Sequence, residues 1–269
     1  MLHKIYTNIY YKNRTVTKYF KNLKVFTYKF KSQSGGSNLK IKYDNAEYIF
    51  EKNEDDNIYI LYSADKKENT CVTVIIDKEL KNANISTIDS FDKCISNKDK
   101  VGTTLLKITL KMLEKYKNKF NIEVITLSDQ SYKKCNGKEI DMMIMSTLTT
   151  GETWYGHYGF RPIIYKNNNA KIDKIENDKY NENIKIMNKL KIKDINLIKY
   201  FEKIKSFTPE QLDYIKNIIK NDQDVLLKDF LKRFLQEFDK TCIYFYKFYR
   251  QLYKDIKLHT LKTYFGKFI

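Results

Sequence analysis

Across 269 residues the chain has no run of about 18 consecutive apolar residues, so no membrane-spanning helix is expected. Its four cysteines, Cys71, Cys94, Cys135 and Cys242, lie far apart and form no C-x-x-C pair. That spacing argues against a zinc site and suits reduced thiols in a cytosol-like, cytoplasmic compartment. The three histidines, His3, His157 and His259, are too scattered to mark another metal centre. Acidic residues are missing altogether from residues 1–32, which carry eight Lys or Arg. Transit peptides also lack acids, but this stretch has a single Arg, no apolar h-region and no small-residue cleavage site. It reads as a basic N-terminal segment (1–38) that belongs to the fold, with SQSGGSN (32–38) as a flexible connector. Glycine and proline are scarce as well, 8 and 2 in all. Three of those glycines, one proline and the only tryptophan fall within TTGETWYGHYGFRP (149–162).

What is present suffices for a folded core, with 42% hydrophobic and 14% aromatic residues and a length that allows one domain or two. The net charge of +17 invites a nucleic-acid reading, but its distribution is uneven. Residues 33–165 hold 19 basic and 19 acidic side chains, whereas 166–269 hold 23 and 14. The excess therefore sits in the two flanks. Lys, Asn, Ile and Tyr are also residues of AT-rich codons, so a solvated basic surface explains most of it.

Residues 39–91 read as a meander of short strands, LKIKY, AEYIFEK, NIYILYS, CVTVIID and ISTIDSF, separated by polar turns. VGTTLLKITLKMLEKYKNKF (101–120) has the apolar face of an amphipathic helix. IEVITLS (122–128) is nearly continuous in apolar residues, as a strand covered on both faces should be. KEIDMMIMSTL reads as a helix, Gly159 as a helix end and FRPIIY as the last strand. The asparagine-rich stretch 166–185 reads as a boundary, with a helical C-terminal domain over 186–269. Asp194 is a candidate N-cap there. Thr208, Pro209 and Gln211 spell a capping box for a later helix, with Phe207 and Leu212 as its staple.

This order of elements, with VGTT opening a helix and Tyr-x-x-x-Gly-Phe before the last strand, resembles the GNAT-type N-acetyltransferases. The resemblance spans 39–165 and is best over 98–162. It implies an α+β fold, an acyl-CoA N-acyltransferase-like mixed sheet with flanking helices, to which the all-α C-terminal domain is added. KDKVGTTLLK (98–107) is similar to the family's diphosphate loop. That places the coenzyme A diphosphate at the backbone N–H groups of Val101, Gly102, Thr103 and Thr104, where a helix N-terminus attracts anions. Lys100, standing where the family has a glycine, would add a cation. The resemblance also implies that parallel strands 85–91 and 122–128 splay, with pantetheine meeting the backbone near Ser90 and Phe91. In the family, a tyrosine four residues before Gly-Phe protonates the coenzyme sulfur, which gives Tyr155 the role of general acid. Trp154 anchors that segment, Gly151 and Gly156 permit close approach, and Leu148 stands where the family has an asparagine. For the base, Asp89 is the candidate by position, with Glu152 and His157 as alternatives.

The implied activity is transfer of an acetyl group from acetyl-CoA, as cosubstrate, to an amine by direct attack, with no metal. The alternative is a non-catalytic binding module of the same fold whose basic flanks hold nucleic acid or a protein partner. The acceptor amine and the oligomeric state cannot be read from the sequence. The AT-rich composition and the wording TGETWYGHYGF are also similar to acetyltransferase-like proteins of giant viruses.

Overall fold

A computed structural model describes residues 38–53, 57–62, 69–89, 94–95, 101–135, 137–205, 207–237 and 241–269. The basic segment 1–37 and the candidate coenzyme contacts Ser90, Phe91 and Lys100 lie outside the described residues. Residues Gly36–Ile269 form one compact unit.

The meander runs β1 (Leu39–Tyr43), β2 (Ala46–Lys52), β3 (Ile58–Tyr62), β4 (Thr70–Asp77) and β5 (Asn82–Ile88), each antiparallel to the next. Asp44 and Asn45, with φ of 45° and 63°, give the β1–β2 hairpin the twist that two left-handed residues supply. Alternation then sorts the faces: Phe50, Tyr59, Leu61, Val72, Val74 and Ile76 all enter the first core. Helix α1 (Val101–Phe120) crosses from β5 to β6 (Val124–Ser128), and its face of Leu105, Leu106, Ile108, Met112 and Leu113 lies in that same core. Residues Val124–Leu127 are all buried, as the apolar run requires.

The chain continues through a small hairpin, β7 (Tyr132–Cys135) and β8 (Lys138–Asp141), into α2 (Met142–Thr150). Thus KEID is strand rather than helix. Asp141 closes β8 and caps α2, its carboxylate accepting from Ile144 N–H at 3.1 Å. After a 3₁₀ turn at Gly156–Tyr158 come β9 (Arg161–Lys166) and β10 (Asn169–Ile172), joined by Asn167 and Asn168 at φ 50° and 63°. The asparagine-rich stretch is therefore a hairpin turn, a strand and the start of α3 (Lys174–Met187), capped by Asp173. It is not a linker.

Helices α4 (Ile198–Phe201), α5 (Pro209–Asn221), α6 (Leu227–Glu237) and α7 (Thr241–Asp255) build a second core of Phe201, Phe230, Phe234, Phe245, Phe248 and Tyr249. The capping box of Thr208 and Gln211 is present. Asp194 instead ends a short 3₁₀ turn, where its carboxylate accepts from Lys191 N–H at 2.9 Å. The expected all-helical C-terminus has one exception. β11 (Tyr264–Phe268) returns to the sheet and slots between β6 and β9, pairing antiparallel with both. Among the described residues the sheet order is β1-β2-β3-β4-β5-β6-β11-β9-β10, mixed and nine-stranded, and with seven α-helices beside it the fold is α+β. The helical segment is an insertion between two of its strands. Gly266 makes this crossing possible, because a Cβ there would lie 2.8 Å from Ile163 Cδ1 and 3.3 Å from Val124 Cγ2.

All four cysteines are paired, contrary to the reading of them as reduced thiols. Cys71 joins Cys94 and Cys135 joins Cys242, with Cα atoms 5.7 and 5.9 Å apart, inside the range a disulfide needs. Partners 23 and 107 residues apart are matched by the sheet and by the packing of the β7–β8 hairpin on α7, which linear spacing cannot show. Paired cysteines favour an oxidising environment and give no support to a reducing one. Among the described residues, no helix is long and apolar enough to cross a membrane.

Candidate active site

β5 and β6 are the only parallel pair in the described sheet, and their pairing is short. It runs from Asn82 opposite Val124 to Ile85 opposite Leu127, then stops. Beyond that point each strand follows its other neighbour. β5 stays with β4, and Asp89 N–H donates to the Cys71 carbonyl at 2.8 Å. β6 stays with β11, and Asp129 N–H donates to the Thr263 carbonyl at 2.6 Å. Where the two part, Ser86 is left without a β4 partner, since Val74 faces Ile85 and Thr73 faces Thr87. Bulges of this kind cluster beside functional sites.

Asp129 stands at the end of β6, beside this opening. The residue is 4% exposed. Its Oδ1 accepts from Ser131 N–H at 3.1 Å and from the Ser131 hydroxyl. Its Oδ2 is buried with no hydrogen-bond partner. Burial raises its pKa from 3.8 to about 6, the Ser131 hydrogen bonds oppose the rise, and the charge of Asp141 adds to it. A buried acceptor without a donor is costly, and such groups concentrate where a ligand or proton transfer completes them.

Tyr155 is 8% exposed and belongs to the first core, its ring edge-on to Trp154 at 4.7 Å and to Phe160 at 5.9 Å. Its phenol lies far above the ordinary value of 10, first through burial and then through the charge of Asp129. It therefore keeps its proton at neutral pH. The unpartnered Asp129 carboxylate oxygen and the buried Tyr155 phenol thus sit within electrostatic reach of each other.

The segment around Tyr155 is a turn rather than a helix end. α2 stops at Gly151 (φ 84°), and the short 3₁₀ turn stops at Gly159 (φ 86°), both in the left-handed conformation that glycine adopts freely. Gly156 is needed for space, because a Cβ there would lie 2.0 Å from the Tyr180 hydroxyl. Glu152, considered above as a base, is committed elsewhere. It accepts from the Tyr180 hydroxyl and pairs with Arg161 at 3.4 Å and His157 at 3.3 Å. His157 also contacts the Thr150 hydroxyl at 2.9 Å. This network fixes the turn under Tyr155, and it leaves neither side chain free to act as a base. Trp154 is half-buried against Tyr155 and Tyr158, so it braces the turn.

Asp89 is half-buried just past β5, and its backbone is tied to the Cys71–Cys94 disulfide: its N–H donates to the Cys71 carbonyl, and its own carbonyl lies 3.6 Å from the Cys94 sulfur. Val101, Gly102, Thr103 and Thr104 form the first turn of α1, half-exposed and free of acidic residues. Among the described residues, a Cβ on Gly102 would meet nothing within 4 Å. Asp129 is the residue that sequence reasoning missed. The available signal was a polar pair, Asp129 and Ser131, directly after a wholly buried strand. Among the described residues, no group of three His, Cys, Asp or Glu is placed to hold a metal. Compared with known proteins, the chain matches no family model, no curated protein and no solved structure.

Proposed function

We propose that the chain is an acetyl-CoA-dependent N-acetyltransferase, with the parting of β5 and β6 as the coenzyme site. One observation carries the reading: the one parallel strand pair among the described residues opens beside an unpartnered buried carboxylate, Asp129, and a buried, protonated phenol, Tyr155. Among the described residues, Ser86, Thr87 and Ile88 have no β6 partner, an arrangement that suits pairing with an extended ligand. The first turn of α1 holds no acid, and among the described residues nothing lies within 4 Å of a Cβ on Gly102, a setting that suits a diphosphate. The resemblance to GNAT-type enzymes, in element order and in Tyr155-x-x-x-Gly159-Phe160, points the same way.

Chemically, the amine attacks the thioester carbon, so a C–N bond forms and the C–S bond breaks. The nitrogen proton passes to Asp129, whose pKa near 6 makes it an effective base at neutral pH. The sulfur takes the Tyr155 proton, and Asp129 returns a proton to the phenolate. The products are an amide and a free thiol. Thiol release from acetyl-CoA with a panel of primary amines tests this directly. Tyr155→Phe keeps the ring and its packing, so turnover should fall by about 100-fold or more while coenzyme affinity holds. Undiminished turnover in that variant removes Tyr155 from the mechanism.

A further inference from the structure

Residues 33–165 balance 19 basic against 19 acidic side chains, but the balance is not local. Lys107, Lys111, Lys115 and Lys119 recur every four residues along α1, and all are exposed. At 1.5 Å per residue they stand about 6 Å apart, a row of about 18 Å. The row runs beside β1, an edge strand of the described sheet, whose Lys40 and Lys42 are exposed as well. Lys111 Nζ donates to the Lys42 carbonyl at 3.0 Å and Lys115 Nζ to the Lys40 carbonyl at 2.9 Å. The Tyr116 hydroxyl binds the Lys40 N–H and carbonyl, both at 3.2 Å. Rings lie under the ammonium groups, Tyr43 at 5.8 Å from Lys111 and Tyr116 at 5.1 Å from Lys115. Against these lysines, the acids that the described residues set nearby are Glu47, Asp44 and Glu114. Glu47 reaches Lys40 at 3.8 Å, the charge of Asp44 acts on Tyr48, and Glu114 pairs with Lys267 at 3.7 Å.

Covering a sheet edge with lysine accounts for Lys111 and Lys115. It gives no role to Lys107, nor to the four-residue spacing, at which like charges repel and weaken the helix that carries them. A row of one sign also concentrates anions at the surface. We infer that the side of α1 along β1 binds single-stranded nucleic acid, with phosphates on the lysine row and bases against the rings of Tyr43 and Tyr116. Cations set among aromatic rings hold a strand without reading its sequence. An acidic peptide would use the lysines and leave the rings idle, and a duplex keeps the faces of its bases stacked inside. This binding needs no acetyl transfer.

The test is fluorescence anisotropy of a labelled oligothymidylate, about 15 nucleotides long, with the full chain. The logarithm of affinity should fall against the logarithm of salt with a slope of about −3 to −4, since each lysine–phosphate contact contributes about 0.7. Lys107→Gln, Lys111→Gln and Lys115→Gln together should weaken binding about tenfold or more at low salt and flatten the slope by about 2. Lys107→Glu alone serves if that variant does not fold. It sets an acid four residues before Lys111, the favourable order, so melting should hold or rise while affinity falls about fivefold. Unchanged affinity in these variants places the contact on the basic flanks and overturns the inference, as does no binding by the wild type. Equal affinity for the same strand annealed to oligodeoxyadenylate, or equal competition by polyglutamate, overturns it too.

Discussion

Asp129 is a residue whose effect on stability can be measured without knowing any substrate. Its folded-state pKa, about 6, lies above the ordinary 3.8. The folded chain therefore holds that proton more tightly, and between pH 4 and 6 the unfolded chain gains by ionising first. Stability falls across that window and levels off above it, by up to about 3 kcal/mol at 1.36 kcal/mol per pKa unit. In Asp129→Asn this loss is absent. The stability difference between variant and wild type should move in the variant's favour by about that amount from pH 4 to pH 8, by urea unfolding. A flat difference would show that Asp129 is not buried as a charge. Tyr155 is singled out in the sequence by the spacing of Tyr-x-x-x-Gly-Phe, and its place in the first core is what the structure adds. Asp129 is not singled out, because its burial and its missing partner arise only when β6 pairs with β11.

Elements were read best where local chemistry decides. β1 and β2, the amphipathic α1 and the α5 capping box follow from alternation, the 3.6 period and Thr208-Pro209-x-Gln211. β5 lies three residues earlier than its apolar pattern suggests, since Asn82 and Asn84 enter the sheet by hydrogen-bonding Thr126 across it. KEID, helix-like in composition, is held as strand by pairing with Tyr132–Cys135. In the turn after α2, Gly156→Ala should be damaging. The new methyl would meet the Tyr180 hydroxyl at 2.0 Å and Glu152 Cγ at 2.8 Å, displacing the network that supports Tyr155. Overpacking of this kind costs about 1–3 kcal/mol, so melting should fall by several degrees. An unchanged melting temperature would mean the turn relaxes freely.

For the whole molecule, the decisive feature is the return of β11. A sequence pass sees five C-terminal residues, Tyr264–Phe268, with no local sign that they lie between two strands more than 90 residues earlier. The pairing of all four cysteines was hidden for the same reason. Because β11 bonds β6 and β9 and buries Phe265, a chain ending at residue 262 should lose the sheet and not only its helical insertion. Circular dichroism and limited proteolysis would then show no protected core. A surviving fragment spanning 39–165 would mean that the meander and the helices fold independently.

The most direct measurement is titration calorimetry of acetyl-CoA into the full chain and into Gly102→Leu. The added Cβ meets no atom of the described residues and improves helix propensity, so the fold should melt no lower than wild type. A coenzyme held at the first turn of α1 would collide with it. The account predicts micromolar binding by the wild type, about 8 kcal/mol, and at least tenfold weaker binding by the variant. No binding by the wild type, or equal affinity in both proteins, would contradict it.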